Sequence, residues 1–334
     1  MRPALRPTAR PLLKWAGGKR QLLDTLSAHY PQAFDRYVEP FLGSGAVFFD
    51  LQARGVLEGR RAWLADVNPD LVGCYRTVRD HTDAVIASLQ RLQAAHRTNG
   101  EAFYYEVRDQ RFNPLRAGLR SDGSTTAENG YTPALAAMLI YLNRTGFNGL
   151  FRLNQRGAFN VPAGRYVEPR ICDPDHVRTV AAAFAAPDVA IDCMPFDEVL
   201  DATGAGDFVY CDPPYAPLSR TASFAHYTAG GFSAFDQRRL QCAVIAACRR
   251  GARVLLSNSS APEIVELYSS AAARKAGLRL SLVAARRAIN SRATGRGTVN
   301  EVVVSNLRPQ PALVVRGKLR MARAGARTAK SRTA

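Results

Sequence analysis

The chain has 334 residues, 47% of them apolar, enough for two domains or for one α/β domain carrying an insertion. Net charge is +17; the last 27 residues hold eight basic and no acidic side chains, so residues 1–307 still carry +9, and a polyanion, nucleic acid foremost, is the expected partner. No stretch is apolar enough for a membrane span or a signal peptide, which points to a cytoplasmic protein, and six scattered cysteines with no C-x-x-C pair exclude a zinc or disulfide framework and read mostly as small buried residues.

Residues 1–10 are basic, contain proline and read as an unstructured arm. Pro11-Leu-Leu-Lys-Trp-Ala-Gly-Gly-Lys19 follows. Its Gly-Gly-Lys hints at a phosphate loop, but Arg20 stands where Ser or Thr is needed and the earlier glycine is missing, which argues against a triphosphate site. Gly17 and Gly18 allow close backbone approach before a helix expected over about 19–30. A strand is expected at 37–41, then a glycine loop, Leu42-Gly43-Ser44-Gly45-Ala46, and an apolar helix to about Arg54. Strand, glycine loop and helix make a nucleotide-cofactor layout, although Phe48 replaces the third glycine of G-x-G-x-x-G. The next strand, from Arg61, ends in Asp66, 23 residues after Gly43, where an acid takes ribose hydroxyls. Alone, this fits a nicotinamide or an adenosyl cofactor equally, and a carboxylate capping the next helix would look the same.

From Asn68 to about Cys172 strand signals vanish. Residues 70–92 and 131–143 have helical patterns, and 113–130, rich in Gly, Ser, Asn and Asp, reads as a loop. Residues 144–166 interleave four glycines, three asparagines and four arginines with aromatics. That composition suits a hairpin or loop touching phosphates and base edges, where Arg and Asn are the usual readers. Sheet character returns at 189–193, 208–211 and 254–257, a capping box at Ser233–Asp236 opens a helix to about Arg250, and 278–287 with 299–306 read as a terminal hairpin.

The most informative stretch is Asp212-Pro213-Pro214-Tyr215 after the apolar run Phe208-Val-Tyr-Cys211. A buried strand that stops at a double proline sits at the mouth of a site in an open α/β sheet. A carboxylate, a proline carbonyl free to accept and an aromatic face suit a planar ring bearing an amino group. The competing reading is a proline-rich turn with a surface Asp.

Together these segments resemble the Dam-like DNA adenine N6-methyltransferases of the D12 class over about residues 11–307. The resemblance rests on Leu13–Lys19, Glu39–Gly45, Leu64–Asn68, Phe147–Arg152, Phe159–Pro162 and Asp212–Leu218. It implies a Rossmann-like α/β fold with a seven-stranded S-adenosylmethionine-dependent methyltransferase sheet. The catalytic domain would be 11–68 with 173–307, the mostly helical target-recognition insertion 69–172, and 1–10 and 308–334 basic tails. It implies S-adenosyl-L-methionine as cofactor, touched by Trp15, Lys19, Phe41, Gly43, Gly45, Asp66 and Asp212. Asp212, Pro213 and Tyr215 would hold a flipped adenine. Phe147, Asn148, Leu150, Arg152 and Pro162 match positions that read a GATC site; Phe147 departs from the family's usual Tyr, keeping a stacking face and losing a hydroxyl. No metal is implied. Double-stranded DNA is the expected partner, with a cognate restriction endonuclease beside it in a restriction setting; the enzyme is expected to be a monomer associated with the nucleoid. An RNA or protein amide methyltransferase, an inactive DNA-binding module and a nicotinamide dehydrogenase are the alternatives. The last accounts for Asp66 and leaves Asp212–Tyr215 unexplained. Asp212→Ala is expected to stop transfer and spare the fold, and the tail beyond Leu307 to bind DNA through charge alone.

Overall fold

The computed structural model describes residues 8–15, 19–121, 130–216, 232–286 and 298–309. The glycine pair 17–18, most of the expected N-terminal arm, residues 122–129, the end of the 212–218 motif and most of the basic tail lie outside the described residues.

Seven strands form one sheet: β1 (Arg36–Glu39), β2 (Arg61–Asp66), β3 (Val189–Cys193), β4 (Asp207–Cys211), β5 (Arg253–Ser259), β6 (Arg279–Arg286) and β7 (Thr298–Ser305). Their order is β3-β2-β1-β4-β5-β7-β6. The first five run parallel, and β7 is antiparallel to both β5 and β6. Alternate side chains of each central strand feed opposite faces. Phe208 and Tyr210 of β4, Leu255 of β5 and Val303 of β7 enter one core. Val209 and Cys211, Val254 and Leu256, and Val302 and Val304 enter the other. Both faces are therefore covered, which is why these strands read as continuous apolar runs.

The second core is closed by helices Phe196–Asp201, Ala234–Arg249 and Pro262–Tyr268. The capping box at Ser233 is present, its side chain accepting from Asp236 N while Asp236 accepts from Ser233 N. The first core is closed by Ala46–Ala53, Pro69–Asp80, Pro174–Phe184 and the helices between β2 and β3. Pro133–Thr145 is buried from Leu135 to Asn143 and packs between Thr82–Glu106 and Pro69–Asp80.

Four expectations need correction. The helix expected over 19–30 is a single 3-10 turn, Lys19–Gln21, and a short helix, Leu23–Ser27. The helix expected over 70–92 is two, broken at His81, and the second continues to Glu106 past a non-helical Gly100. Residues 113–121 are a helix, Asn113–Ser121, and not part of a loop. Its polar composition hides two anchors: buried Arg116 pairs with buried Asp70 at 2.7 Å, and the Asn113 side chain brackets the backbone of Phe159. Of the six cysteines only Cys74 and Cys211 are buried, and Cys242 is exposed. No helix among the described residues is long and apolar enough to cross a membrane.

Candidate active site

Sheet order reverses between β1 and β4, so a crevice opens beyond their carboxyl ends. Glu39-Pro40-Phe41 leaves β1 there, and Asp212-Pro213-Pro214-Tyr215 leaves β4. The double proline ends the ladder because neither residue can donate to it.

Lys19 is carried to this point by its 3-10 turn, and its side chain is only 4% exposed. Its Nζ lies 2.7 Å from Asp212 Oδ1 and 4.3 Å from the centre of the Tyr215 ring. Ser257 on β5 donates to the same Asp212 oxygen at 3.2 Å. The Tyr215 hydroxyl donates to Glu301 Oε2 at 2.6 Å. Gln237 Nε2 donates to the Pro214 carbonyl at 3.0 Å, and Ser259 Oγ to the Ala216 carbonyl at 2.8 Å. The Pro213 carbonyl accepts from none of the described residues and remains available. Burial pushes the Asp212 carboxyl above its ordinary value, against the pull of the Lys19 ammonium. Burial likewise raises the Glu39 carboxyl well above its ordinary value, against the hydrogen bond it accepts from Tyr37 at 2.9 Å.

On the β1 side, Gly43 and Gly45 adopt left-handed φ of 48° and 67°. A side chain at Gly43 would be strained by that φ, and its Cβ would lie 3.0 Å from Trp15 Cδ1. The Trp15 ring thus lies directly on the glycine loop. Asp66, at the end of β2, accepts from Gly43 N at 2.9 Å and from Asn68 N at 3.0 Å. Burial raises its carboxyl to about 6. Capping of helix Pro69–Asp80 falls to Asn68, whose Oδ1 accepts from Asp70 N and Leu71 N. That removes the competing cap role for Asp66. The Asn68 Nδ2 is buried with no partner among the described residues. Phe41 stacks on Phe196 at 5.3 Å.

The third group lies in the irregular hairpin after helix Pro133–Thr145, closed by antiparallel bridges at Gly146–Ala163 and Leu153–Phe159. Phe147, Asn148, Arg152 and Pro162 are exposed and Leu150 is half-buried. Phe147 N donates to the Pro162 carbonyl at 2.9 Å, which brings those two positions together. Asn148 and Gly149 both take left-handed φ, 54° and 64°. The Arg152 guanidinium donates from Nε to Asn160 Oδ1 at 2.8 Å and from Nη2 to the Asn160 carbonyl at 3.2 Å.

Contacts join this hairpin to the segment carrying Trp15. Buried Asn143 donates to the Lys14 carbonyl at 2.7 Å and the Gly149 carbonyl at 2.8 Å, and accepts from Lys14 N at 2.8 Å. Phe151 stacks on Trp15 at 5.6 Å. Arg116 also donates to the Gly157 carbonyl.

Glu301, Ser257, Gln237 and Asn143 escaped the sequence reading. Glu301 had one available signal: it is the only acidic residue after Glu266.

Residues 15–281 match the family described as D12 class N6 adenine-specific DNA methyltransferase. The chain is similar to the Type II methyltransferase M1.LlaDCHI of Lactococcus lactis subsp. cremoris, with 35% identity over 297 residues, covering 89% of this chain and 95% of that one. It is also similar to the Type II methyltransferase M.MjaIII of Methanocaldococcus jannaschii, with 35% identity, covering 89% of this chain and 99% of the relative. The DNA adenine methylase of Escherichia coli K12 is 34% identical and matches over 88% of this chain and 94% of its own. With the sheet order, the Asp-Pro-Pro-Tyr strand end and the glycine loop assembled in one crevice, the chain belongs to the D12 class of N6 adenine-specific DNA methyltransferases.

Proposed function

We propose that the enzyme transfers a methyl group from S-adenosylmethionine to N6 of an adenine flipped out of double-stranded DNA, within GATC. The observation that carries this reading is the Lys19 ammonium, 2.7 Å from Asp212 and 4.3 Å from the Tyr215 ring centre. An amino group attached to a stacked ring can take over both contacts.

The cofactor fits the β1 side of the crevice. Each oxygen of Asp66 accepts one backbone N–H and keeps a lone pair for a ribose hydroxyl. Asn68 Nδ2 is an orphaned donor beside it, the pattern of a site completed by its ligand. Trp15, Phe41, Gly43 and Gly45 line the same loop, and Lys19 and Asp212 stand at its far side. When bound, the cofactor supplies an electrophilic methyl on a sulfonium.

The protein's task is to make N6 a nucleophile, because its lone pair is delocalised into the ring. Asp212 and the Pro213 carbonyl accept the two amino hydrogens and draw the nitrogen toward a tetrahedral geometry, which localises its lone pair. N6 sheds one of those protons once the methyl bond has formed. Tyr215 holds the ring, and Gln237 and Ser259 fix the backbone that presents these groups. Positioning and preorganised electrostatics then supply the rate.

We assign 69–172 as the recognition insertion, with helix Pro69–Asp80 also packing on β2 and β3. Within it Phe147, Asn148, Leu150, Arg152 and Pro162 are read as the base-contacting set. The enzyme is read as a monomer, with a cognate endonuclease of the same specificity as partner in a restriction setting. Mass spectrometry of bases, with site mapping, in DNA from cells expressing the protein tests this. N6-methyladenine confined to GATC is expected; unmodified adenine, or methylation indifferent to GATC, overturns it.

A further inference from the structure

Glu301 reaches the site by the topology of the last hairpin. β7 runs antiparallel to β5, so its first residues lie at the carboxyl ends of the parallel strands. Glu301 stands opposite Ser259 on β5 and Val283 on β6. From there its carboxylate accepts a hydrogen bond from the Tyr215 hydroxyl at 2.6 Å, across 86 positions of sequence. That distance is the short range expected when a hydroxyl donates to an ionised acceptor. The Tyr215 hydroxyl is thus tied to a strand that is itself paired on both edges. Glu301 is the only acidic residue after Glu266, in an otherwise basic C-terminal stretch.

We infer that Glu301 is a positioning residue for methyl transfer: it fixes the plane of the Tyr215 ring and makes that ring a better seat for positive charge. Two effects follow from one hydrogen bond. The first is geometric, since a ring free to turn about its side-chain bonds would lose ordering on every encounter with a base. The second is electronic. A phenol donating to a carboxylate carries more electron density in its π face, and a cation above that face is held more strongly. The Lys19 ammonium occupies that place here. As the methyl group moves to N6, the nitrogen acquires positive charge over the same face. Glu301 forms no bond to substrate and exchanges no proton in the step.

The inference rests on Tyr215 stacking the target base, and its test separates the two ideas. Single-turnover transfer of tritiated methyl to unmethylated plasmid DNA is measured for wild type, Glu301→Ala, Glu301→Gln, Tyr215→Phe, the Glu301→Ala/Tyr215→Phe pair and Tyr215→Ala. Glu301→Ala is expected to slow transfer about ten-fold, the size of one hydrogen bond to a charged group. Gln keeps an acceptor oxygen, so Glu301→Gln should recover part of that loss. Tyr215→Phe removes the same bond from the other side, so adding Glu301→Ala to it should cost nothing further. Cofactor affinity by calorimetry should stay at the wild-type value in every Glu301 variant. Equal losses from Glu301→Ala in the wild-type and Tyr215→Phe backgrounds would overturn the inference, because the carboxylate would then act elsewhere. A Tyr215→Ala enzyme as fast as wild type would instead overturn the stacking role and the proposed site with it.

Discussion

Lys19 brings a charge into an interior that tolerates it because Asp212 is there. The sequence alone treats Asp212 as a strand-end residue whose loss spares the fold; its buried partner changes that expectation. Asp212→Ala should reduce methyl transfer by two orders of magnitude or more, about what one preorganised polar partner is worth. It should also lower the melting temperature, since removing one partner of a buried ion pair costs roughly 3–5 kcal/mol. Adding Lys19→Met should restore the melting temperature and leave transfer lost. A Lys19→Met/Asp212→Ala protein that methylates DNA would disprove the catalytic role. Asp66 makes a second, pH-dependent prediction. The unfolded carboxyl titrates near its ordinary value of 3.8 and the folded one at about 6, so between these values the folded chain holds the extra proton. This group therefore adds stability at low pH and withdraws it as pH rises through about 6. Acceptance of ribose hydroxyls runs the other way, because the ionised form is the better acceptor. Calorimetric affinity for S-adenosylmethionine should fall as pH drops from 7 to 5, and Asp66→Asn should remove that fall. An affinity flat over this range in the wild type would refute the ribose role.

The hairpin over 144–166 is an element whose composition announced it and whose anchoring did not. The arginines, asparagines and glycines over 144–166 were legible because they fit neither core nor ordinary helix. The Asn143 clamp and the Arg116–Asp70 pair were not legible, because both join segments far apart in sequence and Arg116 sits in a stretch of loop-like composition. The five parallel strands were legible as apolar runs, and Asp66 as a strand-ending acid by its spacing from Gly43, since a strand–helix–strand unit has nearly fixed length; that it accepts from Gly43 N was not. Glu301 was hidden because only an antiparallel return strand brings it to Tyr215. Within the hairpin, Asn160 holds the Arg152 guanidinium through Nε and Nη2, so the fork is oriented before DNA arrives. Arg152→Ala should cost roughly 1–3 kcal/mol of discrimination at one base position, measured as methylation rates on GATC and on singly substituted sites. Equal losses on all substrates would mean that Arg152 touches only phosphate.

Charge is distributed over the whole molecule, with a net +9 before residue 308 and eight further basic side chains after it. Each phosphate neutralised contributes about 0.9 to the slope of log affinity against log salt. Deleting residues 308–334 should therefore weaken binding to every duplex and flatten that slope, while leaving any discrimination between sequences intact. An unchanged slope would deny the tail a phosphate contact. The sheet order carries a consequence for synthesis. β7 is made last, yet it inserts between β5 and β6 and delivers Glu301 to Tyr215. At roughly 5–20 residues per second, several seconds separate the emergence of these two residues from the ribosome. During that interval the nascent chain exposes the edge of β5 and a tyrosine without its carboxylate. A chain held on the ribosome at residue 290 should leave nearby DNA unmethylated, and its release to full length should switch the activity on.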